Sequence, residues 1–290
     1  MSSLQLRRSL FAGVSTVALV AAAAVVAPGA ASAQDLTGPS STYLSLEGGA
    51  ACPFGDTFEI LGEELLNDGC GWTGRIGFGQ RDTPIVGMFD GWGLFVRHTR
   101  FPTNSTSDVV PGYSDAVADA NQQRTVVDFE VGQDIGIGSG AAQTRWIAGL
   151  RYADHRTAVN LAASYIGYSL SLGNENWGVG PRIGLETHAP FSTNMGLVLA
   201  GSASALYGQH TQTFTVSYGI LTSSASASEN GWMLNAEGEA GIYWQPSAAG
   251  NSEFVLGLRA EFWRDTSDLA EFNRHNWGPF LRYNMSLGGS

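Results

Sequence analysis

The residues of this chain that can carry charge are few, and they recur at every second position. Arg75, Arg97, Arg145, Arg151, Arg182, Arg259 and Arg282 alternate with apolar neighbours, and so do Glu47, Asp128, Glu130, Glu186, Glu237, Glu239 and Glu261. An arginine fork can bridge two carboxylates on neighbouring strands, so seven of each on one set of faces suits a confined, charge-paired interior. Two readings of that interior stand side by side: a pore lined by opposed charge, and a wall knitted and filled by its own ion pairs.

Acid–base or nucleophilic chemistry is poorly provided for. The histidines are His98, His155, His188, His210 and His275. Asp154 and His155 are adjacent, so on one strand they point to opposite faces and cannot form a dyad. His188 follows Glu186 near a turn and reads as an interfacial side chain, while a cross-strand pairing of His98, His210 or His275 with an Asp stays open. No Gly-x-Ser-x-Gly elbow, His-x-x-x-His pair or Cys–His combination occurs. The expectation is of no enzyme, no cofactor and no metal. Cys52 and Cys70 are the only cysteines. They predict a disulfide closing a loop, in keeping with an oxidising compartment.

The elements that must position these charges are strands. From Trp177 to Leu185 the odd positions (Trp177, Val179, Pro181, Ile183, Leu185) are oily and the even ones glycine or charged. The same split runs through 145–152, 127–132, 232–244, 254–262 and 277–287, and more weakly through 43–48, 72–80, 91–98 and 197–209. That predicts about ten strands, with 8 or 12 as alternatives. The connections alternate: longer around 50–71, 101–122, 159–175, 216–229 and 265–274, shorter around 82–89, 138–142, 189–194 and 246–252. Short turns at the end holding both termini and long loops at the other end are the pattern of outer-membrane barrels. The first long loop includes Phe58 to Leu66, read as a short helix, and the serine-rich Thr222 to Ser228 reads as a mobile external loop.

Composition decides which face is outward. Only 14% of the chain is charged, and every one of its 15 basic residues is Arg. A water-facing exterior would be crowded with Lys and Glu. The polar faces instead carry Gly, Ser and Ala with sparse Arg and Glu. Trp72, Trp146, Tyr152, Trp177, Trp244, Trp277 and Tyr283 sit toward the ends of the oily faces, where interfacial girdles belong. The fold expected is all-β, a transmembrane antiparallel up-and-down β-barrel. A net charge of −11 excludes a nucleic-acid binder working through a basic surface. Residues 1–33, with Arg7 and Arg8 before an apolar run and Ala31, Ser32 and Ala33 at the cleavage site, read as an export signal, leaving 34–290 as a single barrel domain.

The runs DFEVG (128–132), GLRYA (149–153), GPRIGLE (180–186) and GPFLR (278–282) resemble the Legionella-type major outer-membrane protein family of pore-forming barrels. The resemblance spans about Tyr43 to Leu287. It implies a Gram-negative outer-membrane location and porin-like passage of small solutes. It also implies lipid and the barrel-assembly machinery as partners, Tyr283 being the aromatic residue nearest the chain's end. The alternative from another class is a non-conducting structural or adhesive barrel with acidic external loops. The sequence leaves the oligomeric state open.

Overall fold

The computed structural model describes residues 41–54, 59–60, 63–64, 69–81, 89–107, 116–135, 142–163, 167–246, 252–266 and 273–287. The expected export signal lies outside them. Among the described residues there are twelve strands: β1 (Ser41–Pro53), β2 (Glu59–Ile60), β3 (Glu63–Glu64), β4 (Gly71–Arg81), β5 (Gly91–Ser107), β6 (Ala116–Ile135), β7 (Gln143–Ala163), β8 (Tyr168–Pro190), β9 (Met195–Tyr218), β10 (Leu221–Trp244), β11 (Ser252–Asp265) and β12 (Asn273–Leu287). All but β2 and β3 form one closed ring of ten antiparallel strands, β1 closing on β12. Closure leaves no unpaired edge, which a strand wall immersed in lipid requires.

The outward face is apolar where lipid would meet it. Ile183 is 64% exposed, and Leu150, Val179, Leu185, Leu256, Leu258 and Leu281 are exposed at other points around the ring. Aromatic side chains bound this band. Tyr207 and Trp232 touch at 5.2 Å near the long-loop end, and Trp244, Phe254 and Tyr283 run together near the termini with ring centroids 5.8 and 4.8 Å apart.

The inward face is rich in glycine because bulky inward side chains lie across it. A Cβ on Gly77 would stand 2.1 Å from the Phe95 ring, and one on Gly93 would stand 2.5 Å from the Tyr43 hydroxyl.

Three expectations need correction. The described residues of 58–66 form a two-residue ladder, Glu59 opposite Glu64 and Ile60 opposite Glu63, where a helix was expected; the rest of the stretch, and with it the reading as a cap or constriction, lies outside the described residues. The long connections around 101–122, 159–175 and 216–229 are mostly strand: β9 and β10 have 24 residues each, paired from Met195–Trp244 up to Tyr218–Leu221. The serine-rich Thr222 to Ser228 is therefore part of β10. Gly219, with φ 57°, opens the two-residue turn between them, as a II′ hairpin requires.

A transmembrane strand needs only about 9–11 residues. The outer halves of β7 to β10 therefore stand clear of the bilayer, and there the faces exchange character. Outward, Thr211, Thr213, Thr215 and Ser217 meet Ser228, Ser226, Ser224 and Thr222 in a ladder of hydroxyl contacts of 3.0–3.5 Å. Inward, the cross-strand rows read Val159–Leu172–Phe214–Ala225 and Leu161–Leu170–Val216–Ser223.

Candidate functional site

At mid-height the lumen holds one connected set of five arginines and five carboxylates. Arg97 on β5 takes Glu237 on β10 with both terminal nitrogens, at 2.8 and 3.0 Å, and reaches Glu261 at 2.9 Å. Arg124 on β6 bonds Glu261 on β11 and Asn276 at 3.1 Å. Arg151 grips Asp128 at 2.6 and 2.9 Å, touches Glu237 at 3.3 Å and bonds Asn235. Arg259 holds Glu47 at 2.5 and 2.8 Å and Glu239 at 2.6 Å, with Glu237 at 3.4 Å. Arg282 completes the set with Glu47 at 2.9 Å and Glu239 at 2.5 Å.

The pairing geometry is informative because of where the partners stand in the ring. β5 and β10 are five places apart among ten strands, and so are β6 and β11. Arg97–Glu237 and Arg124–Glu261 therefore bridge opposite sides of the barrel. The members are buried, Arg151 completely, apart from Glu239, which is half-buried with its side chain 7% exposed. A gap near this network, between Ala51, Thr99, Arg259 and Phe280, has a volume of about 10 Å³. That holds a single water.

Other predicted residues join different contacts. Arg182 pairs with Glu130 and bonds Ser202 at 3.2 Å. Arg75 packs its guanidinium over the Phe95 ring, 4.2 Å from the centroid. Arg145 belongs to the rim near the termini, with Asp90 at 2.8 Å and Asp134 at 3.0 Å. Glu186 there meets Arg81 at 3.6 Å and His188 at 2.9 Å. His188 thus points inward, not to the interface. Cys52 and Cys70 are disulfide-bonded at the base of the first outer connection, beside the last β1–β4 pair, Ala51 and Gly71.

The sequence reading missed Arg124, Arg274 and Asp265. Arg124 has the same parity as Asp128 and Glu130, so the β6 pattern reached it; placing the strand's start too late hid it. Asp265 and Arg274 fell on a stretch read as loop.

Buried apolar clusters flank the charges on both sides along the barrel axis. Toward the outer end Val126, Ala153, Leu206, Met233 and Trp263 are buried together, and toward the termini Val198, Tyr243, Val255 and Phe280. His155 stacks edge-on against Trp263 with centroids 4.5 Å apart, and Asp154 lies on the opposite face, held by Arg156 at 3.0 Å. His210 Nδ1 stands 2.8 Å from Asp265, whose carboxylate also accepts from Asn176 at 2.9 Å. Both His210 and Asp265 are buried. Among the described residues, no group of His, Cys, Asp and Glu is placed to hold a metal ion.

A closed ring of strands with an apolar girth, aromatic borders and a charged interior defines an outer-membrane β-barrel. The model of the Legionella pneumophila major outer membrane protein precursor family matches residues 89–273, and the chain belongs to that family. Its place is the bacterial outer membrane.

Similar solved structures include a major outer membrane protein from Thermus thermophilus, 10% identical over 85% of this chain and 99% of that one, with a TM-score of 0.40. The outer membrane protease OmpT of Escherichia coli is 9% identical over 86% and 96%, with a TM-score of 0.43. The outer membrane protein OprG of Pseudomonas aeruginosa is 12% identical over 87% and 99%, with a TM-score of 0.29. No curated protein matches the chain.

Proposed function

We propose that the protein is a non-enzymatic, pore-forming barrel whose polar lumen is held shut by its arginine–carboxylate network, so that only small solutes pass, and only when the network exchanges partners. The observation carrying this reading is that the bridging pairs span opposite strands while their carboxylates are shared. Glu237 serves Arg97, Arg151 and Arg259, and Glu47 and Glu239 each serve Arg259 and Arg282. A guanidinium that already touches two carboxylates can leave one without becoming unpaired. An isolated buried pair has no such route, because separating it strands both charges. Lipid against the outward band and the assembly machinery that inserts such barrels are the partners this reading includes.

A second reading, a non-conducting barrel acting through its outer surface, is favoured by the apolar layers above and below the charges. Planar-bilayer recordings separate the two. The wild type is expected to be mostly closed with rare small steps, and a double variant Arg97→Ser with Arg124→Ser to open longer and in larger steps. Large steady steps from the wild type contradict the shut lumen. Silence from both proteins, despite insertion shown by heat-modifiable migration on gels, selects the non-conducting barrel.

A further inference from the structure

The outer extension carries a pocket that the closed lumen neither needs nor explains. It has a volume of about 410 Å³ and is walled by Val159, Leu172, Phe214, Ala225 and Ala227. Thr157, Asn174 and Gln212, one cross-strand row nearer the membrane, line it as well. The strand parities place these side chains on the barrel's axial side. The hydroxyl ladder occupies the other face of the same strands, so water bathes the outside of this wall while oil-like side chains line its inside. That is the reverse of a strand in lipid, and an apolar concavity above the bilayer needs an occupant to be worth its exposure to water.

Size and charge narrow the occupant. About 300–1,000 Å³ is the range of small-molecule sites, and 410 Å³ is too little for a partner's helix. No ionisable side chain is among the lining residues. Asn174 is only 7% exposed, yet neither its amide nitrogen nor its amide oxygen has a hydrogen-bond partner. A buried amide left so is costly unless a bound molecule completes it. Thr157 beside it already accepts from Arg274 at 2.8 Å, which fixes that side of the site.

The geometry points to a binding site for a small, uncharged, mostly apolar molecule with one polar group, the body packing on Phe214 and Leu172 and the polar group meeting the Asn174 amide. The ligand arrives from the water side. An acyl chain of the bilayer would have to pass the aromatic border and the polar outward ladder to reach it. The site stands independently of whether the lumen conducts.

N-phenyl-1-naphthylamine is a suitable probe, being neutral, fluorescent when shielded from water, and furnished with one N–H. Full-length protein in lipid nanodiscs is titrated with it, and partitioning into the lipid is subtracted using empty nanodiscs. A saturable component of one probe per chain is expected. Ala225→Trp, which fills the pocket, should weaken it at least ~10-fold, and Asn174→Leu about 5-fold. Thr215→Val on the outward ladder should leave it unchanged. The anionic analogue 1-anilinonaphthalene-8-sulfonate should bind at least ~10-fold more weakly, because no ionisable side chain lines the pocket and the neighbouring Arg274 guanidinium is committed to Thr157.

Heat-modifiable migration verifies folding, and if Ala225→Trp fails to fold, Asn174→Leu decides alone. Equal saturable binding in wild type and in a folded pocket variant would overturn the site. So would the absence of any saturable component, the result expected if lipid in excess held the pocket. Equal binding of the anionic analogue would overturn the assignment of a neutral ligand.

Discussion

The membrane section and the outer extension of β7 to β10 are built from the same strands with unbroken register, and they solve opposite problems. On β10, Leu234, Ala236, Ala240 and Ile242 face outward and Asn235, Glu237 and Glu239 inward. A few residues toward the turn, Ser224, Ser226 and Ser228 face outward and Ala225 and Ala227 inward. Parity never slips; only the solvent outside changes. The border falls where Tyr207 packs on Trp232. Inside the bilayer the polar groups are driven to the axis, where they can be satisfied only by one another, and ten strands bring them close enough to meet across the diameter. Above it water satisfies the outer hydroxyls, and the axis is left to apolar side chains that line an open-sided pocket.

That contrast can be strained by substitution. The largest effect is expected at the axis of the membrane section. Arg259→Ala leaves Glu47, Glu237 and Glu239 short of a shared partner, and should cost about 3–5 kcal/mol in denaturant unfolding from vesicles. A loss under about 1 kcal/mol would mean that water, not the network, solvates those carboxylates.

Next comes the outward face. Ala236→Arg puts a charge toward lipid and should cost about 2–4 kcal/mol, whereas Ser226→Arg, ten residues along the same face of the same strand, should stay within about 0.5 kcal/mol of the wild type. Equal costs at the two positions would place the bilayer border elsewhere.

Much of the membrane section was legible because its two environments differ sharply. Trp177 to Leu185 alternates without exception, and its parity alone assigned Arg182 and Glu186 to the interior. The same parity reaches the inward charges that lie within the recognised strands, but not Arg124, Arg274 or Asp265, which lie beyond them, and not the pairing across the diameter. Whether Arg97 meets Glu237 depends on ring closure, which no local pattern encodes.

The extension was misread for a physical reason. Serine and alanine contrast weakly, and serine runs resemble loops when no cross-strand partner is in view. The partners of Ser224, Ser226 and Ser228 are Thr215, Thr213 and Thr211 on β9, and only the register shows the ladder. Asn174 and the pocket row were lost for the same reason, because β8 was started too late. Phe58 to Leu66 misled differently: its apolar spacing suits one turn of helix, whereas its described residues pair as strands, Glu59 with Glu64 and Ile60 with Glu63.

The most direct test is an accessibility scan of β10 with single spin labels on introduced cysteines from Ala225 to Ile242, the native Cys52–Cys70 disulfide being kept. Relaxation by oxygen reports lipid, and relaxation by a water-soluble nickel chelate reports water. Outward positions at Leu234, Ala236, Ala240 and Ile242 should favour oxygen, and those at Ser226 and Ser228 the chelate, with the exchange between Ser228 and Leu234. The inward position at Met233, in the apolar layer beside the charges and outside their network, should be shielded from both, as a closed lumen demands. Oxygen accessibility continuing through Ser226, or free access of the chelate at Met233, would contradict the account.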